Sequence, residues 1–164
     1  MIYWNMYTHA CGVRFLIAAT DNGLCFTGSD GCDEQELKEW VGKKRKGQVI
    51  VQNEQKLVSY KEAFDAFFDK SSTTLSMPLD IIGTPFQQQV WEALKTIPYG
   101  ETCSYADIAQ AIGKPTAVRA VGGAIGANPV MIVIPCHRVI GKNGTLTGFR
   151  GGLQLKERLL QFER

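Results

Sequence analysis

Apolar residues fall into short blocks whose spacing alternates between strand-like and helical in the first half of the chain and is mainly helical in the second. Between Gly12 and Gly28 two apolar runs, VRFLIAA and LCFTG, flank Asp21-Asn22-Gly23. Asn-Gly between apolar runs predicts a β-hairpin, because both residues tolerate positive φ. Asp33 to Val41 predicts a short helix ending near Gly42, and QVIVQ after the basic run Lys43-Lys44-Arg45-Lys46 predicts a strand. Over VSYKEAFDAFFD, Tyr60, Phe64, Phe67 and Phe68 recur at helical spacing and form a core stripe. The polar stretch KSSTTLSMPLD then interrupts the pattern and marks a domain boundary.

Beyond the break, helical periodicity dominates. Thr84 suits an N-cap and Pro85 the first helical position. The helix FQQQVWEALKTI places Phe86, Val90, Trp91, Leu94 and Ile97 on one face, and Pro98-Tyr99-Gly100 stops it. Ser104-Tyr105-Ala106-Asp107 reads as a capping box with aspartate in place of glutamate. It opens YADIAQAI, which breaks at Gly113-Lys114-Pro115-Thr116; TAVRAVGGAIGAN follows and stops at Asn128-Pro129. Two short helices across a glycine-containing turn form a helix-turn-helix pattern. The second helix carries Gly122, Gly123 and Gly126, each costing about 1 kcal/mol relative to alanine in a helix interior. Tight packing against a neighbouring helix would offset that cost, and so would close approach to a bulky partner such as a nucleic-acid backbone. Arg119 on the same helix favours the second.

Composition narrows the class. The chain has 164 residues, 45% hydrophobic and 21% charged, as in a globular protein with a real core. No apolar run approaches the roughly 20 residues of a membrane span. MIYWNMYTHACGVRF lacks the basic start, apolar core and cleavage site of a signal peptide, which implies a cytoplasmic protein without a membrane partner. The net charge of +2 divides into −2 over residues 1–80 and +4 over residues 81–164, so any polyanion contact belongs to the second half. The run at 43–46 is either a second such contact or a solvated loop. Five cysteines, Cys11, Cys25, Cys32, Cys103 and Cys136, are irregularly spaced with no Cys-x-x-Cys pair, which argues against a disulfide framework or zinc knuckle. A metal set of His9, Cys11, Cys25 and Cys32 stands against the plainer reading of packed thiols.

The chemistry centres on NPVMIVIPCHRVIGKNG, where Cys136 directly precedes one of only two histidines. A thiol with a pKa near ~8.5 needs a base or a positive field to react at neutral pH. In an extended MIVIPCHRV segment the two side chains point to opposite faces. Either the chain turns at Pro135 or a water relays the proton. The base also needs an acceptor on its other ring nitrogen, and Glu101, Asp107, Glu157 and Glu163 are available in this half. Spacing does not choose among them. A buried structural thiol beside a histidine is the plain alternative.

NPVMIVIPCHRVIGKNGTLTGFRGG, with GETCSYADIAQAIGKPTAVRAVGGAIGANP upstream and LQLKERLLQFE downstream, strongly resembles the O6-alkylguanine-DNA alkyltransferases. The resemblance covers about residues 83–163, and its PCHRV core is highly specific. It implies that Cys136 accepts the alkyl group, that His137 activates it through a water, and that Glu163 orients His137. It implies that Asn128 braces the turn carrying the active segment and that Tyr105 crowds the target phosphate and hydrogen-bonds the purine. Arg119 would fill the gap left by a flipped nucleotide. Thr116, Ala117, Gly122, Gly123 and Gly126 would lie on the DNA-binding surface, which family members place in the minor groove. Met131, Val139, Phe149, Arg150 and Lys156 would surround the guanine pocket. The chain departs from the family pattern at Met131, Phe149 and Arg150, where proline, tyrosine and serine are usual.

The expected protein is therefore α/β of the α+β type. A small N-terminal antiparallel β-sheet domain with helices spans residues 1–76, and a mostly helical C-terminal domain with the helix-turn-helix spans residues 77–164. The implied reaction is a single, irreversible alkyl transfer from O6-alkylguanine, and from O4-alkylthymine, in double-stranded DNA. It needs no cofactor or metal, and the protein acts as a monomer. Three rivals share parts of the pattern: a lesion-sensing module without an acceptor, a Cys-His hydrolase, and a helix-turn-helix regulator with an inert thiol.

Overall fold

A computed structural model describes residues 1–164, which divide into two compact units, Met1–Ile82 and Gly83–Arg164. In the first, β1 (Ile2–Thr8), β2 (Arg14–Thr20) and β3 (Gly23–Thr27) form an antiparallel meander, and β4 (Ile50–Gln52) adds parallel to β1 at the edge. The order is β3-β2-β1-β4. The expected hairpin joins β2 to β3 at Asp21-Asn22. β1 was not among the elements that periodicity predicts.

β2 reads as a continuous apolar run because both sheet faces are covered. Leu16 and Ala18 join Ile2, Cys25 and Phe26 against Leu37 and Val41 of α1 (Glu34–Lys44). On the alternate positions, Phe15 meets Tyr7 and Phe64 with ring centroids 5.3 Å apart, under the aromatic stripe of α2 (Val58–Phe68). That stripe is core: Phe64, Phe67 and Phe68 are buried.

The boundary lies six residues beyond the expected one, between Ile82 and Gly83. Residues 77–82 stay with the first unit for a physical reason. Leu24 N–H donates to Pro78 O at 2.9 Å and Asp80 N–H to Leu24 O at 2.8 Å, which extends the β3 edge. Arg45 then closes on Asp80 at 3.0 Å. Arg45 is thus a buried brace within the basic run, while Lys43, Lys44 and Lys46 are exposed.

The second unit begins with α3 (Pro85–Leu94), whose capping box pairs Thr84 with Gln87 and places Pro85 in the first turn. A second capping box, Ser104 with Asp107, starts α4 (Tyr105–Ala111). Gly113, at φ 74°, turns the chain towards α5 (Val118–Gly126). Trp91 Nε1 donates to Ala124 O at 2.9 Å and locks α3 to α5. Two residues, β5 (Cys103–Ser104), pair in parallel with β6 (Val139–Ile140), and α6 (Leu153–Phe162) completes the unit. α6, too, lay outside the elements that periodicity predicts. No helix is long and apolar enough to cross a membrane.

Candidate active site

The segment from Asn128 to Arg138 is not extended. Asn128 is buried, and its side chain bridges the turn that follows: Nδ2 donates to Ile134 O at 2.9 Å and Oδ1 accepts from Val130 N–H at 3.0 Å. Within that turn Ile132 has φ +77°. A β-branched residue in the left-handed region costs on the order of 1–3 kcal/mol, so the surrounding bonds must enforce it. Ile134 N–H donates to Val130 O at 3.0 Å and completes the frame. Pro135 (φ −79°, ψ 61°) then turns the chain into one 3₁₀ turn, Cys136–Arg138. Of the two alternatives that the sequence leaves open, the chain takes the turn at Pro135: proline and the Asn128 brace override the apolar run.

Cys136 is 3% exposed and His137 fully buried. Of the four acids that spacing left open, the structure brings Glu163 to His137, with Nε2 and Oε2 2.5 Å apart. Arg138, which the sequence reading passed over, completes the cluster. Its Nε donates to Glu163 Oε1 at 2.7 Å, one terminal nitrogen to Oε2 at 3.2 Å, and the other to Ile97 O at 2.8 Å. Gly100 N–H also donates to Oε1, at 3.2 Å. Burial raises the Glu163 pKa, but bonds from His137 and Arg138 more than offset it and bring it to about 2. Burial holds His137 below the ordinary histidine range, against the opposing pull of Glu163. A neutral imidazole beside an ionised carboxylate places its proton on Nε2, where the carboxylate accepts it. Nδ1, buried and without a hydrogen-bond partner, is left as the proton acceptor.

Burial pushes the Cys136 thiol up; an Asn128 hydrogen bond and the charges of Arg150 and Lys156 act the other way. Lys156 is itself buried, and its Nζ donates to Thr147 O at 3.0 Å. Arg150 donates to the carbonyls of Asn128 and Pro129 at 3.1 and 3.2 Å. Arg150 also lines a cleft of about 560 Å³ with Tyr105, Val118, Gly122, Thr147 and Phe149. Asn128 thus hydrogen-bonds Cys136 and the charges of Arg150 and Lys156 reach it, while Tyr105, Gly122, Gly126, Phe149 and Arg150 border the cleft. Met131 and Val139 are buried and outside the cleft lining, Val139 paired with Cys103. Thr116 and Arg119 are exposed, and Ala117 precedes α5 as its N-cap.

The α5 glycines no longer admit both explanations. A Cβ on Gly122 would meet only the Tyr105 ring, at 3.9 Å, and one on Gly123 or Gly126 would meet nothing within 4 Å. Packing against a neighbouring helix does not account for them.

The ion cluster makes acid stability a direct test. Both folded-state pKa values are depressed, so each group stabilises the fold above its unfolded pKa and loses that contribution as pH falls. Loss begins below about pH 6.5 as unfolded His137 protonates, and continues from about pH 4.3 down to the Glu163 value. The Glu163 part is on the order of 3 kcal/mol. Urea midpoints of the full chain across this range are expected to fall in two stages, and Glu163→Gln to lack the lower one.

Residues 85–164 match the family model described as the DNA-binding domain of 6-O-methylguanine DNA methyltransferase. Over 163 residues the chain is 47% identical to the inducible methylated-DNA–protein-cysteine methyltransferase of Bacillus subtilis, covering 99% of this chain and 90% of that one. The chain belongs to the methylated-DNA–protein-cysteine methyltransferase family. Solved structures match along nearly the whole chain. Mycobacterium tuberculosis OGT in complex with DNA superposes with a TM-score of 0.83 at 37% identity, covering 98% of this chain and 92% of that one. The O6-methylguanine-DNA methyltransferase of the archaeon Pyrococcus kodakaraensis gives 0.68 at 25% identity, covering 99% of each.

Proposed function

We infer that this chain repairs alkylated DNA directly, moving the alkyl group from O6 of guanine onto the sulfur of Cys136. The observation that carries the reading is the orientation of His137. Glu163 holds its Nε2–H, so the lone pair on Nδ1 lies buried one residue from the thiol that Asn128 hydrogen-bonds and the charges of Arg150 and Lys156 favour as thiolate.

The step balances without a cofactor. His137, through a water, takes the thiol proton; Sγ attacks the alkyl carbon and the C–O6 bond breaks. The bonding pair passes to the base, which recovers a proton as guanine, and the protein keeps a thioether. Water does not cleave that bond under mild conditions, so each chain acts once. Because Cys136 is buried, the lesion must leave the duplex stack to reach it, at a cost of a few kcal/mol. Arg119 on the exposed face of α5 is suited to fill the vacancy, and the bare faces of Gly123 and Gly126 suit close approach to a minor groove, where readout is degenerate. A repair protein acting at any sequence needs that degeneracy. O4-alkylthymine presents the same kind of alkyl–oxygen bond and is the second substrate. The protein works as a monomer in the cytoplasm.

Intact-protein mass spectrometry after mixing with a duplex containing one O6-methylguanine tests this. The expected result is a gain of one methyl group per chain, on Cys136, ending at one equivalent. No gain, with tighter binding to the lesion than to plain duplex, would make the protein a sensor. Turnover beyond one equivalent would make it a hydrolase.

A further inference from the structure

We propose that Thr147 is a positioning residue for the transfer reaction, aiming the Tyr105 phenol proton into the cleft. The proposal rests on the repair function inferred above. Thr147 lies in the loop between β6 and α6, outside any strand or helix. Two bonds fix it, one to α4 and one to α6. Its hydroxyl donates to the Tyr105 phenol oxygen at 2.9 Å, and its carbonyl accepts from buried Lys156 Nζ at 3.0 Å. Both Thr147 and Tyr105 line the cleft.

Tyr105 is the first residue of α4, so the Ser104–Asp107 capping box sets its backbone. Nothing in that box sets the direction of the phenol proton. A phenol carries one proton and accepts through its lone pairs. Its proton lies near the ring plane, on one side of the C–O bond or the other. A donor seated on one side removes that choice, and the proton faces the other. Accepting a hydrogen bond also polarises the phenol and makes it a stronger donor. Tyr105 is thereby prepared to donate to an acceptor on a base in the cleft, and to support the negative charge that appears on the base as the C–O6 bond breaks. Lys156 ties this arrangement to α6, since it holds the Thr147 backbone while its charge acts on Cys136.

The test is single-turnover methyl transfer from an O6-methylguanine duplex. Thr147→Val keeps the shape and removes the hydroxyl; Thr147→Ser keeps the hydroxyl. Thr147→Val is expected to slow transfer about 5- to 10-fold, the worth of one neutral hydrogen bond. Thr147→Ser should stay within about 2-fold of wild type, and neither should change affinity for undamaged duplex. In a Tyr105→Phe background, Thr147→Val should slow transfer no further, because the group it aims is gone. Three results overturn the proposal: Thr147→Val at the wild-type rate, valine and serine variants equally slow, or an undiminished valine effect without the phenol. If wild type itself takes up no methyl group, the repair function falls and this role with it. A reactive wild type beside an equally fast Thr147→Val removes the Thr147 role alone.

Discussion

Cys136→Ser is expected to abolish alkyl transfer, by at least about 10³-fold, and to leave the fold intact. A serine hydroxyl stays protonated where a thiol can be ionised, and it is a far weaker nucleophile at neutral pH. The site cannot make up the difference, because burial disfavours an anion on Cys136 and the help from Asn128, Arg150 and Lys156 only partly offsets it. The stability cost should stay within about 1 kcal/mol, since the smaller oxygen can still use the Asn128 amide. Mass spectrometry on the lesion duplex reads the first effect and a urea melt the second. Alkylation persisting in the variant would move the acceptor to another cysteine. Chemistry argues against that outcome. Burial raises Cys25 to about 12 despite the opposing charge of Arg45, and burial with the charge of Asp107 raises Cys103 to about 11, while Cys11 is exposed and Cys32 half-buried beside Gly28 in the other unit. The reactive position is the one that adjoins a buried base with a free Nδ1 and takes a hydrogen bond from Asn128.

What the sequence makes legible here is the chemistry of neighbours. Thr84 with Gln87, Ser104 with Asp107, and Gly113 announce the starts of α3 and α4 and the turn into α5, because caps and turns are written within four residues. Asn22-Gly23 does the same for the hairpin. β1 escapes because IYWNMYT meets α1 on one face and α2 on the other, so aromatic and apolar residues fall on both and no two-residue alternation survives. α6 escapes because the Gly151-Gly152 pair before it supplies no capping side chain. The attachment of residues 77–82 to the first unit is not written locally, because the bridge from Leu24 to Leu79 and the bond from Arg45 to Asp80 each span a long stretch of chain. The same limit applies at the site. Glu163 lies 26 residues from His137, and Thr147 lies 42 from Tyr105. Arg138 carried a local signal, a charge adjoining the base inside an otherwise apolar run, but its partner was as distant as that of His137.

Glu163→Gln is expected to cost about 3 kcal/mol or more of stability and to slow transfer at least about 10²-fold, through two separable causes. The stability cost comes from Arg138. It is 8% exposed, and without the carboxylate its charge stays buried among neutral partners alone, Ile97 O, the Tyr99 ring and the glutamine oxygen. The rate cost comes from proton placement. Glu163 Oε1 accepts from Arg138 Nε and Gly100 N–H, both of which can only donate. The glutamine oxygen must take that position, which turns its amide nitrogen towards His137 Nε2. His137 then has to accept at Nε2 and carry its proton on Nδ1, where the base is needed. The double variant Glu163→Gln, Arg138→Met separates the two causes. Removing the unpaired charge should recover most of the lost stability, since a buried ion pair replaced by apolar packing is often neutral. The rate should stay low, because Gly100 N–H still orients the amide and the amide still selects the wrong tautomer. Urea melts and single-turnover transfer rates on the two variants give the comparison. If rate recovers together with stability, the defect is general loosening of the site, and the assignment of Nδ1 as the proton acceptor is wrong.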